Sequence, residues 1–465
     1  MSCQGGGTPA AAAQPHVLLV SCPLQGHVNP LLRLGRRLAA KGLLVTFTTF
    51  RHAGLRGIHP DGASARGVRF QHLLRERDDA DQMTPEGMLR YVLEAGPAAL
   101  ADLFRRQADA GRPVSCVVNT TFVPWALDVA RDMGVPCIAT LWTQSCAVLS
   151  IYYHFYNSNS SNDNTITFPE APEDAPVALP GLPAMSMDEL PLMVRPEFAH
   201  NLWGQMLRAQ LVDVKEENAP SPWVLVNTFY QLERAAIDAL PVAVVPLGPL
   251  LDDDDGETGD DDKDGVMAWL DAQPPRSVVY VAFGSLVDIG RDETAAVAEG
   301  LAGAGRPFLW VVRDAYLLHP PESVLAASDD GQNGKIVAWC PQRRVLSHGA
   351  VGCFVTHCGW NSVAEALAAC VPVVGYPWWS DQFTNAKFLV EEYGVGVRLP
   401  APVKADALRA CVDKVMDGPE AAAIRARAAT WKEEAATAIA HGGSSHRSLH
   451  DFVDILQKTR MMSKS

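Results

Sequence analysis

Residues 339–382 read WCPQRRVLSHGAVGCFVTHCGWNSVAEALAACVPVVGYPWWSDQ, in which apolar runs alternate with a glycine-containing turn. The apolar run 353–356 predicts a strand, the turn 356–362 opens a helix, and 371–376 predicts the next strand. Strand, loop, helix and strand in this order are typical of a parallel α/β sheet. Because the first turn of a helix presents free N–H groups and the positive end of its dipole, the turn predicts an anion site.

The same alternation continues over most of the chain. Apolar runs predict further strands at 16–21, 43–50, 114–118, 136–141, 223–229, 277–285, 308–312 and 334–337. Helices are predicted from Asn29-Pro30, over 124–133 and within 405–458. A chain of 465 residues with 48% apolar composition is long enough for two such α/β domains.

Changes in composition predict the domain boundaries. We expect an N-terminal acceptor-binding domain over 1–247 and an acidic linker over 248–272. A C-terminal nucleotide-binding domain is expected over 273–445, followed by a helix over 446–465 that packs back toward the N-terminal domain. The polar, proline-rich stretch 157–196 is expected to form a loop on the acceptor side.

Charge and cysteine usage exclude several classes of function. The formal net charge is −14, and most of it lies in the acidic run 252–264, so neither nucleic acid nor an anionic membrane is an expected partner. Residues 1–13 lack the features of a secretory signal, and no apolar run is long enough to span a bilayer. The ten cysteines contain no CxxC pair, which favours reduced thiols and a cytoplasmic location.

Common nucleotide and metal motifs are missing. There is no complete GxGxxG and no GxxxxGK[ST], so a dinucleotide dehydrogenase or a P-loop enzyme is not expected. The acidic run is not expected to be a metal-binding DxD motif, because no apolar strand precedes it. Cys353, His357 and Cys358 are too few for a zinc site, and buried thiols explain these cysteines better. We therefore expect no metal and no cofactor.

The box 339–382 resembles the signature box of plant family-1 UDP-sugar glycosyltransferases. Four further segments also look like that family: 25–30, 122–130, 143–147 and 283–285. The resemblance implies a GT-B type fold, with two facing Rossmann-like domains built on parallel sheets. It also implies a UDP-sugar donor, here UDP-glucose, and a small plant metabolite as acceptor. We expect a monomer.

The resemblance implies a set of UDP-sugar-binding residues. They are Ser285, Trp339, Gln342, His357, Gly359, Trp360, Asn361, Ser362, Glu365, Asp381 and Gln382. In the family, the matching positions hold uracil (Trp339, Gln342), phosphates (His357, Asn361, Ser362), ribose (Glu365) and glucose (Asp381, Gln382). Structural alternatives are a core role for Trp339, a capping box joining Ser362 to Glu365, and an N-cap at Asp381.

His27 is the predicted catalytic base. It follows the first strand, at the carboxyl edge of the sheet where open α/β folds bind ligands. Many relatives carry an aspartate two residues before the motif that starts at Phe122, but this chain has Thr120 there, within Asn119-Thr120-Thr121. A threonine stabilises an imidazolium less well than a carboxylate does. Since a carboxylic acid acceptor is already ionised, this change favours an inverting transferase that forms glucose esters of aromatic or indolic acids.

Two alternatives remain open at this point. One is O-glucosylation of phenols or flavonoids, with Thr120 or water orienting His27. The other is a nucleotide-sugar-binding protein without catalysis. The acceptor contacts are positional hypotheses only, at Arg51, Trp142, Gln144, His154 and Trp379.

Overall fold

The computed structural model describes residues 14–50, 55–73, 84–157, 166–215, 223–251, 262, 264–284, 289–312 and 333–462. Two predicted site residues, Arg51 and Ser285, lie outside the described residues, as does most of the acidic run 252–264. The chain divides into two compact units. Unit 1 comprises 1–141, 212–223 and 450–465, and unit 2 comprises 142–211 and 224–449.

Unit 1 is built on a largely parallel sheet. Its strands are β1 (His16–Val20), β2 (Leu44–Thr48), β3 (Ser64–Ala65), β4 (Val68–Phe70), β5 (Cys116–Thr120) and β6 (Cys137–Trp142), the last of which ends on the first residue of unit 2. Its helices are α1 (Gln25–Ala40), α2 (Pro85–Asp109) and α3 (Trp125–Asp132). The strands lie in the order β3-β4-β2-β1-β5-β6, and the β3–β4 pair is antiparallel. All five residues of β1 and of β5 are buried, as a sheet covered on both faces requires.

The start of α1 differs from the prediction. The sequence predicts a helix entered at Asn29-Pro30, but α1 begins at Gln25 and contains Pro30. Proline has a helical φ, so it fits there at the loss of one backbone hydrogen bond. His27 therefore lies in the first turn of α1 rather than in the preceding loop.

Unit 2 contains the remaining elements, except for parts of two helices and the first residue of one strand. Its helices are α4 (Cys146–Asn157), α5 (Leu202–Lys215), α6 (Arg234–Ala239), α7 (Val266–Asp271), α8 (Gly290–Gly303), α9 (Gln342–Ser347), α10 (Trp360–Ala369), α11 (Gln382–Lys387), α12 (Ala405–Met416), α13 (Ala421–Ile439) and α14 (Ser444–Met462). Its strands are β7 (Trp223–Val226), β8 (Val244–Pro246), β9 (Val278–Ala282), β10 (Phe308–Val311), β11 (Gly334–Val337), β12 (Val351–Thr356), β13 (Val373–Gly375) and β14 (Gly396–Arg398). The end of α5, the greater part of α14 and Trp223 of β7 belong to unit 1.

The main sheet of unit 2 has the Rossmann strand order. Its strands lie in the order β11-β10-β9-β12-β13-β14 and pair in parallel. Numbered from β9, this order is 3-2-1-4-5-6, which places the topological switch point between β9 and β12. Ligands of such sheets bind outside the carboxyl ends of the strands at that point.

Apolar side chains cover both faces of this sheet. Along β9, Val278 and Tyr280 belong to one buried cluster, while Val279 and Val281 belong to a second. Because successive side chains of a strand point to opposite faces, a strand buried on both sides reads as an unbroken apolar run. The predicted α/β class with parallel sheets is therefore confirmed.

The predicted domain boundaries at 247, 272 and 445 remain predictions. The compact units have different borders, since 142–211 groups with unit 2 and 450–465 with unit 1. Within the predicted loop 157–196, the described part contains two short 3₁₀ helices, Met187–Glu189 and Leu192–Val194. Of the helices in the described ranges, none combines the length and apolarity needed to cross a bilayer.

Candidate active site

The carboxyl ends of β9 and β12 bring Gly284 and His357 into contact. These strands are neighbours at the switch point, and each of the two residues follows its strand closely. A Cβ atom added to Gly284 would lie 2.7 Å from Nε2 of His357, and one added to Gly359 would lie 2.5 Å from the same atom. Only glycine therefore leaves room for the imidazole on both sides.

His357 is held in an uncharged form. Burial lowers its pKa to about 4, so the ring is neutral near pH 7. Oγ1 of Thr356 lies 3.3 Å from its Nδ1. A neutral imidazole can donate one hydrogen bond to a phosphate oxygen, and it adds no fixed charge to the site.

Helix α10 begins in the predicted anion-binding turn. Gly359 is its N-cap and offers no side-chain cap, and Cys358 before it has a left-handed φ of 65°. A non-glycine residue in that region is strained, and such strain is often found at functional turns. Ser362 is the third helical residue and not the N-cap, so the capping box with Glu365 is excluded. The first turn of α10 therefore has the position and polarity of an anion-binding helix N-terminus.

The side chains predicted to bind the uracil base and the ribose lie close together. Nε2 of Gln342 donates to Oγ of Ser362 at 3.0 Å and to Oε2 of Glu365 at 2.8 Å. Its Oε1 accepts a hydrogen bond from the Tyr280 hydroxyl at 3.2 Å. Gln342 thereby fixes the rotamers of both neighbours on α10. Trp339 is half-buried, two residues after β11.

Asn227, which sequence reasoning missed, supports the same helix. Its carbonyl oxygen accepts a hydrogen bond from Nε1 of Trp360 at 2.7 Å, and its Nδ2 lies 3.4 Å from Oδ1 of Asn361. Its own Oδ1 accepts from the backbone N–H of Leu250 at 2.7 Å. Asn227 follows β7, more than 130 residues away in sequence, so no local pattern could identify it.

Asp381 and Gln382 start α11 and are both buried. Asp381 occupies the N-cap position, but its side chain makes no capping hydrogen bond. Oε1 of Gln382 accepts from the backbone N–H groups of Trp378 and Trp379, each at 2.8 Å. Within the part of the chain that the structure describes, Nε2 of Gln382 has no hydrogen-bond partner. The loop thus fixes the amide and leaves its two donors for a ligand.

The predicted acceptor residues differ in their surroundings. Trp142 is 1% exposed, and its Nε1 donates to the carbonyl of Ser145 at 3.1 Å. Nε2 of Gln144 donates to Ser380, while its buried Oε1 has no partner among the described residues. Burial lowers the pKa of His154, and its Nε2 likewise lacks a partner there. The rings of Trp379 and Phe198 pack edge to face, with their centroids 5.7 Å apart.

His27 lies at the corresponding switch point of unit 1. In its sheet, β1 lies between β2 and β5, and His27 follows β1 in sequence. Oγ1 of Thr121 lies 3.4 Å from Nδ1 of His27. Oγ1 of Thr120 instead accepts a hydrogen bond from the backbone N–H of Cys22 at 2.9 Å. The geometry therefore adds Thr121 as a residue that can orient the imidazole.

Burial also determines the protonation of His27. It lowers the pKa of His27 to about 4, so the imidazole is neutral near pH 7 and can accept a proton. The centroid of the Phe122 ring lies 5.5 Å from that of the imidazole, so Phe122 contributes to the burial of His27. Phe122 itself has a φ of 70°, a strained conformation directly after Thr121.

A Rossmann sheet with an anion-binding turn after β12, and with a buried carboxylate and amide donors after β13, is suited to binding a nucleotide-sugar. The family model described as UDP-glucoronosyl and UDP-glucosyl transferase matches residues 197–424. The chain belongs to this family and is a UDP-glycosyltransferase.

Curated plant relatives match nearly the whole chain. A protein named gallate 1-beta-glucosyltransferase 84A24, from Punica granatum, is 38% identical over 97% of this chain and 90% of its own length. A cinnamate beta-D-glucosyltransferase from Fragaria ananassa is 36% identical over 95% of this chain and 83% of its own.

Solved structures match the fold. Os79 from O. sativa in complex with UDP is 30% identical, with a TM-score of 0.80 over 95% of this chain and 100% of that chain. A UDP-glucosyltransferase from Polygonum tinctorium, described as capable of glucosylating indoxyl, is 26% identical. It has a TM-score of 0.79 over 96% of this chain and 100% of its own.

Proposed function

We propose that this enzyme transfers glucose from UDP-glucose to the carboxylate of a small aromatic or indolic acid. The observation that carries the proposal is the uncharged segment Asn119-Thr120-Thr121, which places a threonine hydroxyl 3.4 Å from Nδ1 of His27. A hydroxyl stabilises an imidazolium less than a carboxylate does. An acid acceptor is already ionised near neutral pH, so its attack requires no proton transfer.

The reaction is a single displacement. A carboxylate oxygen forms a bond to the anomeric carbon while the bond from that carbon to the β-phosphate oxygen breaks. UDP leaves, and the configuration at the anomeric carbon is inverted. We propose that His357, Asn361, Ser362 and the first-turn N–H groups of α10 stabilise the charge that develops on the diphosphate.

The names of the relatives support the acceptor class. Gallate and cinnamate are both aromatic carboxylates, and both appear in the names of curated relatives. The second candidate is O-glucosylation of a phenol. It is favoured by the low pKa of His27, which keeps a neutral imidazole available as a base at neutral pH.

An acceptor screen tests the proposal. The enzyme is incubated with UDP-glucose and with matched pairs of benzoates and phenols, and products are identified by mass spectrometry. We expect products chiefly from the acids, and these should be cleaved by hydroxylamine because they are esters. Products that resist hydroxylamine and form much faster from phenols would support the second candidate instead.

Gln382 is proposed to select glucose through its free amide donors. Gln382→Glu keeps an oxygen for the N–H groups of Trp378 and Trp379 but removes both donors. We expect kcat/KM for UDP-glucose to fall. The decrease should correspond to a loss of about 1–3 kcal/mol of transition-state binding. Binding of UDP alone, measured by calorimetry, should change little. Unchanged kinetics with UDP-glucose would remove Gln382 from the sugar site.

Metal independence is a further proposal. Across the described ranges, no three His, Cys, Asp or Glu side chains are grouped as metal ligands. We expect full activity after incubation with EDTA. Activity that is lost in EDTA and restored only by manganese would contradict this expectation.

We also propose that the enzyme is a cytoplasmic monomer. All nine cysteines among the described residues are free thiols, which suits a reducing compartment.

A further inference from the structure

Asn385, on α11, is at the centre of a buried hydrogen-bond cluster. It is 1% exposed. Its Nδ2 donates to Oδ2 of Asp381 at 2.6 Å and to the carbonyl oxygen of Cys358 at 3.0 Å. Its Oδ1 accepts from Oγ of Ser145 at 3.1 Å. The opposite amide orientation would set its oxygen against two acceptors, so the hydrogen bonds determine the orientation.

The three partners of Asn385 belong to different parts of unit 2. Asp381 is the carboxylate that starts α11, and Cys358 is the strained residue of the anion-binding turn. Ser145 precedes α4, and its Oγ also accepts a hydrogen bond from the N–H of Val148 at 3.3 Å. One amide thus connects a carboxylate, the anion-binding turn and the start of α4.

We propose that Asn385 is a positioning residue for the donor sugar, because it fixes the Asp381 carboxylate relative to the anion-binding turn. The inference rests on the proposed function, in which Asp381 binds glucose hydroxyls. An Asp side chain accepts hydrogen bonds from sugar hydroxyls through both oxygens only when it is ionised, and only when it is correctly oriented. Asn385 meets both needs, since its N–H group favours the charged form and restricts the rotamer.

The surroundings of Asp381 make the hydrogen bond from the Asn385 amide important. Burial raises the pKa of Asp381, and hydrogen bonds from Asn385, Gln144 and Ser380 oppose that shift. The titratable groups that face it are the Tyr152 hydroxyl on α4 and the Cys358 thiol, and burial raises the pKa of both. Neither group supplies a positive charge, so the neutral donors stabilise the carboxylate.

The test uses Asn385→Ala. Without the donor, the pKa of Asp381 rises further, so its charged form is lost at a higher pH. We expect kcat/KM for UDP-glucose to fall at least about tenfold at neutral pH, as for loss of a hydrogen bond to a charged group. The acid limb of the pH profile should move to higher pH. Affinity for UDP, measured by calorimetry, should stay within about threefold of wild type.

One further variant controls for folding, and a second tests the charge beside Asp381. Thr384→Val removes the hydrogen bond from Oγ1 of Thr384 to the carbonyl of Glu189 at 2.8 Å, in the same buried helix. It should lower the melting temperature without moving the acid limb. Asn385→Asp keeps the shape of the side chain but sets two carboxyls together. It should lose activity as pH rises, where both become charged and repel each other.

The outcomes separate the inference from the proposed function. Wild-type enzyme that transfers no glucose from UDP-glucose would overturn both. If wild type is active but Asn385→Ala has the same pH profile as Thr384→Val, only the positioning role is overturned. An equal loss of affinity for UDP and UDP-glucose in Asn385→Ala would also overturn it, because the effect would then not lie at the sugar.

Discussion

His27→Ala is expected to lower phenol glucosylation by about 10²–10⁴-fold, the usual contribution of a general base, while ester formation falls much less. A phenol must lose its proton during attack, whereas a carboxylate carries none near neutral pH. Positioning of the acceptor and departure of UDP do not require a base. The measurement is kcat/KM for matched phenol and acid acceptors with wild type and variant.

The pH profile gives a second measure of the same role. The pKa of His27 is lowered to about 4 by burial, so the free enzyme keeps a neutral imidazole as pH falls below the usual value of 6.5. Phenol glucosylation should therefore lose its base only as pH approaches 4. Protonation of other groups, including Asp381, can lower activity at a higher pH than protonation of His27 does. That loss would affect both acceptor classes equally.

His16 offers a matched control for His27. It is also a buried histidine of unit 1, and burial lowers its pKa to about 4. Its ring nitrogens bond to the carbonyl of Arg112 and to Oγ1 of Thr46, both at 2.8 Å. His16→Gln should reduce stability without separating the two acceptor classes. Equal losses for phenols and acids in His27→Ala would show that His27 is not the base.

The parallel sheets could be predicted from the sequence because their strands are buried on both faces. Runs such as Val278 to Ala282 contain no charged residue, and unbroken runs of hydrophobic residues are the signal of such strands. The anion-binding turn could be predicted equally well, since residues 353–362 show a strand, a glycine and a helix start within ten residues. The family resemblance, rather than periodicity, supplied the individual sugar and base contacts.

Side-chain networks could not be predicted, because they join distant segments. Asn385 contacts Ser145 across 240 positions, and Asn227 contacts Asn361 across 134. The Asp381–Asn385 pair did carry a local signal, since residues four apart lie on one face of a helix.

Which threonine lies beside His27 depends on the residue at which β5 ends. The sequence predicted this strand over 114–118, but it runs from Cys116 to Thr120. Successive strand residues alternate between faces, so a shift of the end changes which threonine faces which neighbour. Thr120 is still paired in the strand, whereas Thr121 follows it and lies near His27.

Thr121→Asp is expected to shift acceptor preference from acids toward phenols by at least about tenfold. An aspartate at this position can accept a hydrogen bond from Nδ1 of His27 and stabilise the imidazolium that forms when a phenol gives up its proton. An acid acceptor gains nothing from this, and the added negative charge repels its carboxylate. The measurement is the ratio of kcat/KM for a phenol and an acid of similar shape.

Two variants show whether charge at that position causes the shift. Thr121→Asn has nearly the same shape as Thr121→Asp but no charge, so it should leave the preference close to that of wild type. Thr120→Asp should act more weakly, because the Thr120 oxygen already accepts a hydrogen bond from Cys22 N–H. Both threonines are fully buried, so melting temperatures must show that each variant folds. If Thr120→Asp shifts the preference more than Thr121→Asp, the residue that replaces the family aspartate is Thr120. If folded Thr121→Asp and Thr120→Asp both leave the ratio unchanged, the uncharged segment does not determine the choice between acids and phenols.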